Sequence, residues 1–262
     1  MKYAFSKLPE IKSKIENSGP TALLLDFDGT ISPIVPRPDD AYIPEKTRSL
    51  LKKIDKMFPV VIVTGRPLAV IRKKVGVKRF IYAASHGWEW DFEGKLKRKP
   101  LPKTIAVKFN RLRQAVKNIK KDFPPLIIEN KPYSVTFHYH LLPIKQEMIF
   151  TERLKNFLKP IRRQSSIRIF HDKKTVEITP DLNWTKGDIS ESALRHLRQK
   201  SHKNFLPIYI GDSTTDEDAF RALARGITVR VGKSKNSAAE YYLREQREVQ
   251  KFLGWFLKTL PS

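Results

Sequence analysis

The acidic segment Asp26-Phe27-Asp28-Gly29-Thr30 directly follows the apolar run Ala22-Leu23-Leu24-Leu25. A continuous apolar run is typical of a central strand in a parallel sheet, and in open α/β sheets ligands bind beyond the carboxyl ends of the strands. Asp26 and Asp28 are two positions apart, so an extended backbone would point both carboxylates the same way, where a divalent cation could neutralise them. The segment predicts a site at the rim of the sheet, and the alternative is a strand-to-helix turn with capping aspartates.

Three further segments place polar groups after apolar runs or at a helix start. The run at 60–63 ends in Thr64-Gly65-Arg66, whose hydroxyl and backbone N–H groups could hold phosphoryl oxygens. Lys186-Gly187-Asp188 opens a helical pattern, and the run at 208–210 leads into the acidic segment 211–218. Together these segments predict one reaction centre, in which Mg²⁺ would let one aspartate attack phosphorus while the other handles the proton of the leaving oxygen.

The order of predicted elements indicates an α/β fold. Strand and helix alternate at both ends of the chain, which predicts right-handed βαβ units and a doubly wound, Rossmann-like parallel sheet over 1–101 and 181–262. Residues 102–180 are predicted to form an inserted, smaller α+β domain. The predicted strands cover 23–27, 60–63, 80–84, 126–129, 134–140, 167–170, 175–178, 207–210 and 227–231, with a hairpin at 88–94. The predicted helices cover 45–57, 68–74, 105–121, 145–158, 218–223 and 245–257, and one more begins at Lys186.

Composition excludes some classes and leaves one feature unexplained. There is no cysteine, so disulfides are absent, and no apolar stretch resembles a leader or spans a bilayer, so we expect a cytoplasmic protein without a membrane partner. The net charge is +24 and the pI is ≈ 10.1, a field that would attract small anions, nucleic acid or anionic membranes. The basic residues are scattered over helix faces, so we expect no specific nucleic-acid partner. The sequence leaves the oligomeric state open, and a monomer is compatible with it.

In chain order, the segments DFDGT, TGR, Lys186 and GDSTTDED resemble the four motifs of the haloacid dehalogenase superfamily of aspartate-nucleophile phosphatases. Three more segments resemble the trehalose-6-phosphate phosphatase family: Ser85-His86-Gly87, the stretch 129–134 leading to His138-Tyr139, and the stretch 176–180. The resemblance implies a phosphoric monoester hydrolase that requires Mg²⁺ and takes trehalose 6-phosphate as its small-molecule substrate, with the inserted domain acting as a cap. Two alternatives remain: a related phosphatase of sucrose 6-phosphate or of a glycosyl-3-phosphoglycerate, and a binding or regulatory protein that kept the fold.

The resemblance also implies a role for each motif residue. Asp26 would become an aspartyl phosphate, and Asp28 would act first as the acid and then as the base. Thr64 and Lys186 would balance the charge of the phosphoryl group. The implied metal ligands are Asp26, Asp28 through its backbone carbonyl, Asp212 and Asp216, the last either bound directly or acting from the outer shell. The implied substrate-binding residues are Gly65, Arg66, His86, Gly87, Glu129, Lys131 and Glu177, of which the last three would contact glucosyl hydroxyls.

The chain departs from the pattern of the resembled family at three places. Ser213 stands where an aspartate is usual, which removes one acid near the metal ligands. His140 stands where an arginine is expected, so one contact of the cap is in question. The segment Asn183-Trp184-Thr185 before Lys186 also differs from the more compact form of the family. None of these departures touches Asp26 or Asp28.

Overall fold

The computed structural model describes residues 1–162, 167–172, 174–181 and 184–259. The chain divides into two compact units, Met1–Arg98 with Trp184–Ser262 and Lys99–Asn183. These boundaries lie three residues from the predicted ones at 101/102 and 180/181. That the smaller unit acts as a cap stays a prediction.

The described residues contain thirteen strands and eight α-helices. The strands are β1 (Lys2–Tyr3), β2 (Thr21–Leu25), β3 (Val60–Val63), β4 (Ile81–Ala84), β5 (Glu89–Phe92), β6 (Lys95–Arg98), β7 (Ile127–Asn130), β8 (Val135–His138), β9 (Ile167–Asp172), β10 (Thr175–Pro180), β11 (Leu206–Gly211), β12 (Ile227–Val231) and β13 (Tyr241–Leu243). The helices are α1 (Leu8–Glu16), α2 (Glu45–Ile54), α3 (Leu68–Val75), α4 (Lys103–Asp122), α5 (Ile144–Arg162), α6 (Lys186–Ser201), α7 (Asp216–Ala222) and α8 (Gln246–Thr259).

The larger unit is built on a nine-stranded sheet in the order β1-β13-β12-β11-β2-β3-β4-β5-β6. Pairing is parallel between all neighbours from β1 to β4, whereas the pairings of β5 with β4 and of β6 with β5 are antiparallel. Leu23 and Leu25 of β2 pack into one apolar cluster with α1, α2, α3 and α8, whereas Ala22 and Leu24 pack into another with α6 and α7. Because strand side chains alternate, both faces of the sheet are covered by helices, and the predicted doubly wound α/β fold is confirmed.

The smaller unit is a four-stranded antiparallel sheet, in the order β7-β8-β10-β9, with α4 and α5. Its apolar core joins Phe109 of α4 and Phe150 of α5 to Phe137 of β8 and Ile178 of β10. The residues that alternate with these on the strands are largely polar, among them Thr136 and Glu177. One face of this sheet is therefore apolar and packs against the helices, and the other is polar.

The structure differs from the sequence-based elements mainly at the chain ends. The pattern did not predict β1, α1 or β13. The two strands have only two and three residues, so they show no alternation and are defined by their pairing, here Lys2 with Tyr241. The first predicted strand was also placed two residues late: β2 ends at Leu25, and the Phe27 carbonyl accepts hydrogen bonds from the N–H groups of residues 30–32. Asp26 is therefore outside the strand, although its N–H still donates to Ile210.

None of the helices in the described ranges combines the length and the apolar character that crossing a membrane requires.

Candidate active site

The carboxyl ends of three neighbouring parallel strands carry most of the predicted site residues. In the sheet β2 lies between β11 and β3. Asp26 follows β2, Thr64 follows β3 and Asp212 follows β11. Because parallel strands end at the same edge, residues that are far apart in the chain are brought together here.

Lys186 lies between two buried carboxylates. Its Nζ donates to Asp26 Oδ1 at 2.7 Å and to Asp216 Oδ1 at 2.8 Å, and all three residues are at most 4% exposed. Burial opposes the charged form of Lys186, but Asp216 and Asp26 outweigh it and raise the pKa of the ammonium. Burial also opposes the charged form of Asp26 and so raises the pKa of this carboxyl well above its usual value. Lys186 opposes this shift, whereas Asp216 and Asp212 add to it. The Lys186 ammonium is therefore shared between two carboxylates and does not fully offset the cost of burying the charged form of Asp26.

Asp216 is the more completely stabilised of the two carboxylates. Besides Lys186, the hydroxyl of Tyr209 donates to its Oδ1 at 2.7 Å, and the N–H and hydroxyl of Ser213 donate to its Oδ2 at 2.9 and 2.7 Å. Burial alone would raise the pKa of this carboxyl, but Lys186 and these hydrogen bonds hold it below its usual value. A carboxylate offers about four acceptor positions, so those of Asp216 are fully used.

Sequence reasoning missed the parts of Tyr209 and Ser213 in this arrangement. From the sequence, Ser213 is only the loss of an acid, whereas in the structure its hydroxyl holds Asp216 in place. Tyr209 lies on the predicted strand 207–210, and the sequence pattern gives it no role. The available signal was the hydroxyl itself, because a phenol on a fully buried strand needs a hydrogen-bond partner.

Asp26, Asp212 and Asp216 form a cluster in which one carboxylate oxygen from each lies within 4.8 Å of the others. Gly29 makes the approach of Asp212 possible: its φ is +72°, and a Cβ there would lie 2.1 Å from Asp212 Oδ2. Three clustered carboxylates offer several oxygens to one ion, and carboxylate oxygen is the ligand that hard divalent cations prefer. The residues present therefore fit a divalent metal ion.

Asp28 is bound by Arg66. The Nε and Nη2 atoms of Arg66 each donate to one oxygen of Asp28 at 2.7 Å, and the guanidinium lies 5.5 Å from the centre of the Phe27 ring. Paired hydrogen bonds of this kind fix both position and orientation. The Arg66 side chain is only 8% exposed, whereas that of Asp28 is 47% exposed, so Asp28 faces the open side of the pair. This pairing was not predicted from the sequence.

The start of α6 positions Lys186. The side chain of Thr185 accepts from the N–H of Asp188, and Asp188 accepts from the N–H of Thr185, which forms a capping box. Just before it, Trp184 Nε1 donates to the carbonyl of Gly87 at 2.8 Å. Trp184 and Thr185, which belong to the segment that departs from the family pattern, thus tie the turn after β4 to the start of α6. Asn183 of the same segment lies outside the described residues.

The remaining predicted residues of the larger unit lie in the turns after β3 and β4. Thr64 is buried, and its Oγ1 accepts from the N–H of Arg66 at 3.2 Å, which bends the chain at Gly65. Ser85, His86 and Gly87 form a single 3-10 turn. The side chain of His86 lies outside the described part of the structure.

The three predicted sugar-binding residues lie together in the smaller unit. In the register of the sheet, Thr136 pairs with both Glu129 and Glu177, so Glu129, Thr136 and Glu177 form one row, which we call the polar row. Lys131 Nζ lies 3.5 Å from Glu129 Oε2 and 3.4 Å from Glu177 Oε1. Ser134 and Thr136 also donate to Glu177, and His138 Nε2 lies 2.7 Å from Glu129 Oε2. His138 is thus a partner of a predicted binding residue.

The third departure from the family pattern, His140, lies just after β8. Its ring centroid is 6.3 Å from that of His138, and its buried Nε2 atom has no hydrogen-bond partner among the described residues.

Comparison with known proteins identifies the family. The family model described as trehalose-phosphatase matches residues 24–247. Similar curated proteins include the Arabidopsis thaliana proteins named probable trehalose-phosphate phosphatase D, 35% identical over 246 residues and covering 88% of this chain, and probable trehalose-phosphate phosphatase G, 33% identical over 265 residues and covering 90%. This chain spans about two thirds of their length, 65% and 68%.

Among solved structures, the fold is similar to that of the C-terminal domain of C. albicans trehalose-6-phosphate phosphatase. The TM-score is 0.83 at 23% identity, with 96% of this chain and 97% of that chain covered. At this identity the likeness supports the fold alone. The family match, which covers most of the sequence, decides the classification, and the chain belongs to the trehalose-phosphatase family.

Proposed function

We propose that this protein is a phosphatase that hydrolyses trehalose 6-phosphate to trehalose and phosphate. The observation that carries the proposal is the buried group of Asp26, Lys186 and Asp216 at the carboxyl end of β2, in a chain of the trehalose-phosphatase family. Such a group has no evident structural use, because burying several charges costs stability unless they are fully paired. Perturbed, buried ionisable groups at the ligand-binding edge of an α/β sheet are typical of reaction centres.

In the proposed reaction Asp26 is the nucleophile. An oxygen of Asp26 forms a bond to phosphorus while the bond to the sugar oxygen breaks, and Asp28 gives its proton to that leaving oxygen. Asp28 then takes a proton from the water that attacks the aspartyl phosphate, which releases phosphate and restores Asp26. Lys186 and Thr64 stabilise the charge of the transferred group, and electrostatic positioning of this kind is the main contribution of proteins to phosphoryl transfer.

The pair of Arg66 and Asp28 suits this sequence of steps. Arg66 orients Asp28 through two hydrogen bonds. Phosphoryl oxygens are equally good acceptors for a guanidinium, so an incoming phosphate competes with Asp28 for Arg66. Substrate entry would then place Arg66 on the phosphoryl group and release Asp28 for the leaving oxygen.

Magnesium is the metal we propose for the carboxylate group. Asp26, Asp212 and the backbone carbonyl of Asp28 would hold it, and when bound it would neutralise charge on the carboxylates and the phosphoryl oxygens. Because every acceptor position of Asp216 is already used, we assign this residue to ordering Lys186 and the loop at Ser213 instead of direct ligation.

For sugar recognition we propose the polar row of the smaller unit, which would act as the cap. Glu129 and Glu177 can accept hydrogen bonds from neighbouring hydroxyls, and Lys131 between them can donate. In the larger unit the backbone of Gly65, His86 and Gly87 would contribute further contacts. A cap that closes over the site would admit a large polar substrate and then restrict water to the molecule that attacks.

The experiment that tests the proposal is phosphate release measured on trehalose 6-phosphate, sucrose 6-phosphate, glucose 6-phosphate and a glycosyl-3-phosphoglycerate, with Mg²⁺ and with a chelator. We expect strong preference for trehalose 6-phosphate and loss of activity with the chelator that added Mg²⁺ restores. Preference for another sugar phosphate would keep the reaction and refute the assigned substrate. Inactivity on all four would favour a binding or regulatory protein that kept the fold.

Glu129→Gln should separate sugar recognition from chemistry. The amide keeps the size of the side chain but loses the charge that pairs with Lys131 and His138, so kcat/KM for trehalose 6-phosphate should fall by roughly 10- to 100-fold. Turnover of p-nitrophenyl phosphate, which has no glucosyl hydroxyls, should change little. The matched control is Glu152→Gln, an exposed glutamate on α5. Equal losses on both substrates would contradict the sugar-binding role.

A further inference from the structure

The smaller unit exposes a cluster of large apolar side chains at the start of α5. Leu141, Ile144, Met148 and Ile149, which we call the apolar tip, are 48%, 73%, 70% and 60% exposed. Of the eleven large apolar side chains that are exposed in the described part of the chain, these four fall within nine consecutive positions, and the others are spread over both units. Single exposed apolar residues are ordinary, but a contiguous group marks an interaction surface.

The C-terminal end of the basic helix α4 lies beside α5, the helix that carries most of the apolar tip. The ring of Phe123, just after α4, lies 5.5 Å from that of Phe150, and Arg153 of α5 pairs with Asp122 at 2.7 Å. Helix α4 has seven Lys and Arg residues and one acid in its 20 residues. Its open outer face carries Val107, Asn110, Arg111, Gln114, Lys117, Asn118 and Lys121. An apolar cluster and a cationic face are thus carried by neighbouring helices of this unit.

Charge decides which partner suits this surface. The smaller unit has 18 Lys and Arg against 7 Asp and Glu, a net charge of +11 in 85 residues. Near the tip, Glu147 pairs with Lys174 and Asp122 with Arg153, which leaves Glu152 as the other acid of this end. Two copies of so basic a unit would repel each other. A nucleic acid would bind the cations through its phosphates but would leave the four apolar side chains exposed to water. A surface that combines anionic phosphates with hydrocarbon satisfies both features.

We propose that the smaller unit docks on anionic phospholipid membranes, with the apolar tip inserted among the acyl chains and the cations of α4 on the lipid phosphates. Stable peripheral attachment generally takes two signals, and an apolar insertion with a polybasic patch is one such combination. Ile144 and Met148 are one turn apart on α5, so both can enter the same interface. The sequence-based expectation of no membrane partner rested on the lack of a spanning segment, which peripheral docking does not require.

The test is co-sedimentation of the full chain with vesicles of phosphatidylcholine, with and without phosphatidylglycerol, at low and high salt. We expect binding only to the vesicles that contain phosphatidylglycerol, with weakening by salt. Ile144→Ser with Met148→Ser should lower the partition by at least about tenfold, because two apolar side chains no longer enter the interface. The matched control is Met57→Ser with Leu96→Ser, which removes two exposed apolar side chains of the larger unit and should bind as the unchanged protein does.

Phosphate release in free solution should be equal in the unchanged protein and both variants, which would show that the variants are folded. The membrane proposal is thereby tested separately from the proposed phosphatase activity. Absence of binding to anionic vesicles, or equal binding of the tip variant, would refute the proposal. Tighter binding to duplex DNA than to vesicles, unaffected by the tip substitutions, would assign the surface to nucleic acid instead. A concentration-dependent dimer that the tip substitutions abolish would assign it to self-association.

Discussion

Asp26→Asn is expected to lower phosphate release from trehalose 6-phosphate by about 10⁴-fold or more, because the amide cannot form the covalent intermediate. The substitution removes one negative charge from a buried group in which Lys186 serves two carboxylates, and burial already raises the pKa of Asp26. The folded state should therefore tolerate the neutral amide. The measurements are steady-state phosphate release and thermal unfolding of the same purified variant.

The nucleophile assignment can also be checked directly. Substrate labelled in its phosphate should transfer label to the unchanged protein in a rapid acid quench, and hydroxylamine should remove it, as expected for an acyl phosphate. Asp26→Asn should take up no label. Asp181→Asn, which changes an aspartate on the surface of the smaller unit, is the control and should label normally. Substantial turnover by a folded Asp26→Asn protein would refute the assignment.

Lys186→Met is expected to lower the free energy of unfolding by about 3–5 kcal/mol, because it leaves buried carboxylates without their cation. Asp26 and Asp216 both lose the hydrogen bond from Nζ, and Asp216 is fully buried. The measurement is urea unfolding at neutral pH without added metal. The control is Lys200→Met, which removes an exposed ion pair with Glu93 and should cost no more than about 1 kcal/mol.

The deficit of Lys186→Met should depend on pH in a defined direction. Without the ammonium, burial favours protonation of Asp26 and Asp216 in the folded state, so their pKa values in the variant would lie above those of the unfolded chain. A group with a raised carboxyl pKa destabilises the folded state at higher pH, and this penalty is released as the pH falls. The difference from the unchanged protein should therefore shrink toward acid pH. A difference that stays constant, or that matches Lys200→Met, would contradict this account.

The fold class could be predicted from the sequence because β2, β3 and β11 of the larger unit are short apolar runs, each with a helical pattern after it. The predicted ranges 60–63 and 227–231 are those of β3 and β12. The elements that escaped prediction, β1, α1 and β13, join the ends of the chain, and β1 exists only through its pairing with β13. Whether a two-residue segment forms a strand depends on the strand that it pairs with, so it cannot be recognised from its own residues.

The sequence by itself determined which residues could form a site, because polar groups that follow apolar strands must meet at one edge of a parallel sheet. Asp26, Thr64, Lys186 and Asp212 could be named from that rule and from motif resemblance. Only the tertiary structure decided how these groups are paired: Arg66 with Asp28, Tyr209 and Ser213 with Asp216, and His138 with Glu129. The physical reason is that position along a strand sets the edge at which a side chain emerges, whereas a hydrogen bond of about 2.7 Å depends on turns, caps and close backbone approaches that no local pattern specifies.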